Sequence, residues 1–417
     1  MHWTRSCTII FLIISYETTI THGLSDFPER LRRVYGTFLP PPPIEAFLNT
    51  PELIEHYNYT HENHSVTTDD GYILQLFRIP HGMNNQTGKG PVFIQHGFTC
   101  SSDDWLLLDK SDNLPLILAD QGYDVWLGNS RGNSYSNKHL RYPETSLKFW
   151  DFTFDEMGMY DIPAAFSYIL NVTGSEQLNY IGHSMGTMIF FIAMDTHPHL
   201  QSKVKRMIAM APAVYMSNVK NPIRVLTKIS SETLLAYTAK FHRGRVVPKT
   251  LNRILNIAGP FICFGRTRGA ICKNLFFLFS GFNKAQTTVK TASIVAGHTP
   301  SSASAKTGAQ FIQYIKHSRF QRFDYGQRLN VINYGTQQPP VYNLTNVNVP
   351  VMVLWGKNDR IVVSKDIHRT VSELGNVVAD VEVQDPLFSH YDFTYAKNAK
   401  MEVYDRCLKF LNLGQVP

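Results

Sequence analysis

The stretch Gly182-His183-Ser184-Met185-Gly186 constrains this chain more than any other, because two glycines bracket a serine directly after the apolar run Leu178 to Ile181. That run reads as a buried strand. Thr187 to His197 follows with Met188, Ile189, Phe191, Ile192 and Met194, dense enough in apolar residues for a largely buried helix. Between such a strand and such a helix the chain must reverse within a few residues. Ser184 is then held in a strained conformation, and a side chain two positions to either side would collide with neighbouring backbone, which is why glycine stands at both. The string alone also fits an ordinary loop; the flanking strand and helix favour an elbow that presents Ser184 at a helix N-terminus. Free N–H groups and the helix dipole stabilise an anion there. His183 is expected to point away from Ser184 and to pack.

Strand text begins at Ser65-Val66-Thr67 and Tyr72 to Phe77, which flank Asp69-Asp70-Gly71 as a hairpin does. Pro91 to Gln95 is a short buried strand ending in His96-Gly97-Phe98. A helix near Leu114 to Gln121, a strand Tyr123 to Leu127 and a helix from Asp161 through Leu170, with Pro163 in its first turn, come next. Strands alternating with helices mean a mostly parallel sheet covered on both faces. The alternation stops after a strand Arg206 to Tyr215 and resumes at Val349 to Trp355. The text between is rich in helix signals, aromatics and basic residues and looks inserted. Phe276 to Phe279 reads as core of that insertion, with lipid contact as the other reading.

The resumed strand ends in Gly356-Lys357-Asn358-Asp359, which puts a carboxylate in a turn at a strand's C-terminal edge. A helix near Val363 to Leu374, a strand near Val377 to Val383 and the loop Phe388-Ser389-His390-Tyr391-Asp392 follow. The order Ser184, Asp359, His390 is that of the nucleophile, acid and base of α/β-hydrolases, each at a strand end. Asp392 is read instead as a cap on the last helix that stiffens the histidine loop. The N–H groups of Phe98 and Met185 are candidates for an oxyanion hole.

Met1 to Gly23 has one basic residue and the apolar run Cys7 to Ile14, a pattern that reads as a secretory signal peptide, too short in its apolar part to span a membrane. Five N-x-S/T strings, at Asn58, Asn63, Asn85, Asn171 and Asn343, are glycosylation candidates in such a chain, whereas Asn49 is excluded by Pro51. Residues 24–54, with Pro40 to Pro43, read as an extended linker or an arm lying on the body rather than a folded unit. The body then divides into a first core part, 55–216, an insertion, 217–343, and a second core part, 344–417. The net charge of +7 comes without a dense basic helix or a nucleic-acid motif. It reads as a solvated basic surface of scattered Lys and Arg, one still compatible with anionic lipid surfaces. No later segment supplies a membrane span. Cys263 and Cys272 are near enough in sequence to close a short loop in an oxidising compartment, while Cys100 and Cys407 are either free buried thiols or a second bridge.

Asp70-Gly71-Tyr72-Ile73-Leu74, Gln95-His96-Gly97, the long string Gly122 to Asn133, Phe154 to Met157, Tyr160 to Ala164, Pro340 to Asn343 and His390 to Phe393 together resemble the acid lipases that include gastric and lysosomal acid lipase. The resemblance runs from about His56 to the C-terminal helix. It implies an α/β-hydrolase fold with an inserted cap, Ser184, Asp359 and His390 as catalytic triad, Phe98 and Met185 as oxyanion positions, and Cys263 with Cys272 as a cap disulfide. Phe98 stands where leucine is usual and Met185 where mammalian relatives carry glutamine, but the contribution at both is a backbone N–H. Pro300 to Ala305 departs from the usual Pro-Ala-Gly-Thr-Ser-like segment, which bears on the substrate pocket rather than the chemistry.

The expectation is a secreted, or alternatively lysosomal, hydrolase that cleaves neutral lipid esters at an oil–water or membrane interface, triacylglycerols before steryl esters, with no metal or cofactor. A binding or storage protein on the same fold would usually have lost a triad member, and none is missing. A non-lipid serine hydrolase keeps the triad, and only the resemblance argues against it.

Overall fold

The computed structural model describes residues 41–414. The expected signal peptide and most of the proline-rich arm lie outside the described residues. Strands β1 (Glu62–Thr67) and β2 (Tyr72–Ile79) form the expected antiparallel hairpin, with Thr67 opposite Ile73. They are joined in one sheet by β3 (Pro91–Gln95), β4 (Asp124–Leu127), the short β5 (Lys138–His139), β6 (Leu178–His183), β7 (Val204–Met210), β8 (Val351–Trp355) and β9 (Val377–Glu382). The order across the sheet is β1-β2-β4-β3-β6-β7-β8-β9, with β5 on β2, and every pairing from β4 to β9 is parallel. All C-terminal ends of the parallel strands therefore meet on one edge, where a fold of this class gathers its site.

Alternation along the strands explains the two core layers. Phe93 and Tyr180 face one layer, which includes Phe166 and Phe190, while Ile94 and Ile181 face the other, which includes Trp105 and Met352. Helices cover both faces: α1 (Thr50–His56), α2 (Leu114–Asp120), α3 (Ile162–Thr173) and α4 (Met185–Thr196) come before the interruption. Helix α4 is buried from Met185 to Met194, as its unbroken apolar text requires.

One sequence expectation changes. Strand β7 stops at Met210 rather than Tyr215, because Ala211 takes φ 47° and Pro212 cannot donate to the ladder, so the chain leaves the sheet while Ala213 to Met216 stay buried. The described part of the arm takes the second of its two readings. A 3-10 turn, Ile44–Phe47, and α1 lie on the body with Ala46, Leu53 and Ile54 buried. Helix α1 starts at a capping box: Asn49 accepts from Glu52 N, and Glu52 accepts from Asn49 N.

Between β7 and β8 the chain is helical: a 3-10 segment Pro222–Lys228, then α5 (Ser231–His242), α6 (Lys249–Cys263), α7 (Arg266–Ser280), α8 (Val289–His298), α9 (Ala305–His317) and α10 (Gln327–Tyr334). A disulfide between Cys263 and Cys272 ties the end of α6 to α7, whereas Cys100 and Cys407 are buried free thiols. Phe277 is buried and Leu278 exposed, and Phe276 sits edge-on to Tyr391. Helices α11 (Ser364–Glu373), α12 (Asp392–Tyr395) and α13 (Asp405–Leu413) complete the chain. Among the described residues no helix is long and apolar enough to cross a membrane.

Candidate active site

Ser184 ends β6 and begins α4 in a backbone conformation, φ 53° and ψ −114°, that costs energy for any residue but glycine. The surroundings enforce it. A Cβ on Gly182 would lie 2.8 Å from the backbone of Gly186, and one on Gly186 would lie 2.5 Å from the carbonyl oxygen of Gln95. The result is a buried serine whose Oγ lies 2.8 Å from His390 Nε2.

His390 is carried by the loop after β9, and its Nδ1 lies 2.7 Å from Asp359 Oδ2. Asp359 follows β8, and its other oxygen accepts the backbone N–H groups of Ile361 at 2.7 Å and Val362 at 2.8 Å. These two N–H donors orient the carboxylate and leave Oδ2 for the imidazole. A carboxylate on Nδ1 requires a proton there, so Nε2 is the nitrogen free to accept from Ser184.

Asp392, the competing acid, faces elsewhere. Its carboxylate accepts from Ser389 N at 2.7 Å and from Asn283 Nδ2 at 3.2 Å. It stiffens the histidine loop as expected, but by holding Ser389 rather than capping: it is the first residue of α12, and the cap position, Tyr391, bonds through its backbone only. Burial pushes its carboxyl up to about 7.

The backbone N–H groups of Phe98 and Met185 have no protein acceptor among the described residues, and both residues adjoin Ser184: Met185 follows it, and a Cβ on Gly97 would be 3.5 Å from Ser184 Cβ. His96 sets the turn before Phe98. Its Nε2 accepts from Ser130 N at 3.1 Å, which leaves Nδ1–H to donate to the carbonyl of Gly97 at 2.7 Å. Burial drives His96 down to about 4, so it stays neutral and keeps both bonds. The string Gly128 to Asn133 thus has a local purpose. Ser130 and Asn133 contact His96, and buried Arg131 clamps Asp70 of the hairpin and Asp161 before α3.

Sequence reasoning missed these second contacts because they join positions far apart in the chain. His183 packs as expected, between Trp105 and Phe393, but its Nε2 also lies 3.0 Å from the carbonyl oxygen of His390.

Above Ser184 and His390 lies a cavity of about 390 Å³. Val219, Ile223, Leu226, Leu234, Phe311 and Ile315 line it, all between β7 and β8 in sequence, and Phe98 packs on Phe311 at 5.2 Å between rings. From the departing segment 300–305, only Ala305 reaches the cavity wall; Ser301 instead bonds Ser134. Phe276 and Phe277 do not reach it. The five sequon asparagines are all exposed. Among the described residues no group of His, Cys, Asp and Glu is placed to hold a metal ion.

The parallel sheet, the strained serine and the serine–histidine–carboxylate chain at the strand ends define an α/β-hydrolase. The family model described as "alpha/beta hydrolase fold" matches residues 90–387, and a partial α/β-hydrolase lipase region matches residues 50–109. Gastric triacylglycerol lipase of Bos taurus is 37% identical over 371 residues, 88% of this chain and 92% of that protein. The human gastric enzyme is 34% identical over 94% of this chain and 95% of its own. Lysosomal acid lipase/cholesteryl ester hydrolase of Homo sapiens is 33% identical over 89% of this chain and 92% of its own. A solved structure of a putative lipase from Sulfolobus solfataricus superposes with a TM-score of 0.52 at 14% identity, over 85% of this chain and 94% of that one, a likeness of fold alone. The chain belongs to the family of gastric and lysosomal acid lipases.

Proposed function

We propose that this protein hydrolyses neutral lipid esters, triacylglycerols first and steryl esters second, through an acyl-enzyme on Ser184. One observation carries the reading: His390 bridges Ser184 Oγ at 2.8 Å and Asp359 at 2.7 Å on the floor of an apolar cavity. In this mechanism Ser184 Oγ attacks the ester carbonyl carbon while His390 Nε2 takes its proton. Asp359 holds the Nδ1–H tautomer and stabilises the imidazolium. The N–H groups of Phe98 and Met185, with the N-terminus of α4, hold the tetrahedral oxyanion. His390 then returns the proton to the departing alcohol. Water attacks the acyl-serine, giving its proton to His390, which passes it to Ser184 Oγ as the C–Oγ bond breaks and the fatty acid leaves.

The cavity supports the substrate class. Its size is within the range of small-molecule sites, and its aliphatic and aromatic walls suit an acyl chain better than a peptide or sugar. Residues 217–343 act as a cap over the core parts 55–216 and 344–417, and the chain works in an oxidising secretory or lysosomal compartment, consistent with the Cys263–Cys272 bridge and five exposed sequons. Secreted protein assayed on emulsified triolein, cholesteryl oleate and a short soluble ester tests the proposal. Hydrolysis of triolein above the rate on the soluble ester is expected; cleavage of the soluble ester alone would overturn it.

A further inference from the structure

The basic residues that read as scattered along the sequence are segregated. Residues 217–343 hold 18 Lys and Arg against 2 Asp and Glu, whereas the whole chain holds 40 against 33. The rest of the molecule is therefore acidic on balance, and the net charge of +7 arises from one set of helices. Part of this charge is neutralised at the seam with the body: Arg245 and Lys249 on Glu144, Lys290 on Glu45 and Asp109, Lys306 on Asp151.

At the cavity mouth it is not. Leu226 of the 3-10 segment and Leu234 and Thr238 of α5 line the cavity over Ser184, so these two elements form its rim. On them Arg224, Lys228 and Lys240 are exposed, as is Arg243 directly after α5. None takes part in an ion pair among the described residues, where Glu232 is the one carboxylate on either element. Interleaved with them are large exposed apolar side chains: Val225 at 62%, Tyr237 at 52% and Phe241 at 59% exposure, with Leu226 and Ile229 close behind. Water is a poor partner for that mixture. Apolar groups alternating with cations that have no carboxylate partner suit a surface that offers hydrocarbon beneath a layer of negative charge. A polyanion in solution would satisfy the cations and leave the aromatics in water.

We infer that the 3-10 segment Pro222–Lys228 and helix α5 dock on anionic phospholipid surfaces, bringing the cavity mouth against the lipid layer. The inference rests on the reading of the chain as a lipid-ester hydrolase, for which the docked face supplies the substrate. Charge selects the surface, and Val225, Tyr237 and Phe241 enter it.

The test is flotation of Ser184→Ala protein with vesicles of phosphatidylcholine alone or with about a third phosphatidylserine, so that binding is read without hydrolysis. The expected result is at least tenfold tighter binding to the anionic vesicles, with the difference shrinking as salt is raised. The triple variant Arg224→Glu, Lys228→Glu, Lys240→Glu should lose at least tenfold in that binding. In the Ser184-containing background it should keep the rate on a soluble ester, which also shows that it folds. Lys203→Glu, Lys205→Glu, Lys409→Glu makes the same charge change on exposed residues elsewhere; Lys203 and Lys205 flank the start of β7, at the sheet edge opposite the site. This control should bind like the parent. Equal binding to both vesicle types, no binding to either, or an equal loss in the control would overturn the inference. So would retention on heparin without flotation, which would assign the charge to a polysaccharide. Failure of the ester assays with anionic binding intact would instead overturn the proposed reaction.

Discussion

His183 Nε2 donates to the main-chain carbonyl of His390 at 3.0 Å, so the residue immediately before the serine grips the loop that carries the imidazole. A carbonyl can only accept, which fixes the proton of His183 on Nε2. Burial, reinforced by the adjacent His390, holds His183 well below the ordinary histidine range, and the bond persists through acid conditions.

His183→Phe should keep the packing between Trp105 and Phe393 while leaving that carbonyl unpaired. A loss of about 1 kcal/mol in holding the loop corresponds to a kcat lowered roughly fivefold. Steady-state kinetics with a melting curve checks it. An unchanged kcat would show that the loop holds itself.

Asp359→Asn should lower kcat by about 10³ to 10⁴ with little change in Tm, because the amide keeps the shape and loses the tautomer. Asp392→Asn should retain kcat within a few-fold, since an amide oxygen still accepts from Ser389. Its effect is on stability against pH. With a folded value of about 7, above that of an unfolded carboxyl, Asp392 makes the native state bind the extra proton, so its contribution falls as pH climbs from about 4 to 7 and then levels off. The Asn variant should therefore gain on the parent in melts at pH 8 relative to pH 4. A catalytically dead Asp392→Asn would reverse the assignment of the acid.

His298, at the end of α8, is buried with Nδ1 3.0 Å from Asp103 Oδ2 and Nε2 2.8 Å from the carbonyl of Glu45. Burial opposes its charge, but the hydrogen bond and charge of Asp103 outweigh it and raise its pKa. A histidine raised on folding contributes stability that is complete below its unfolded value, near 6.5, and is lost as pH rises through the folded value. His298→Gln should cost roughly 3 kcal/mol at pH 5 and clearly less at pH 8.5, measured by denaturant unfolding. An equal cost at both would mean the ion pair contributes nothing beyond its hydrogen bonds.

What could be read from the sequence was whatever local physics dictates. Gly182 and Gly186 announce the elbow because no other residue fits there, and Ser184, Asp359 and His390 each fall at the end of a recognisable strand. The supporting contacts were not legible. His96 owes its tautomer to Ser130, and His183 owes its second role to a carbonyl on another strand's loop. The run Ala211 to Tyr215 kept strand composition although Ala211 turns the chain out of the sheet. In the sequence Asn49 stands out only as a sequon spoiled by Pro51, yet the same Pro51, near the start of α1, and Glu52 make it a helix cap. The gathering of positive charge over the cavity needed the fold to show that Arg224, Lys228 and Lys240 share the rim above Ser184.

The central claim is that Ser184 is the nucleophile. Ser184→Ala removes one buried oxygen where the neighbouring backbone is already fixed, so the melting temperature should stay close to that of the parent. Hydrolysis of emulsified triolein, measured together with labelling by an organophosphonate, should fall by roughly 10⁴-fold or more, with no labelled adduct. A Ser184→Ala protein that keeps most of its hydrolysis, or still takes the label, would contradict the account.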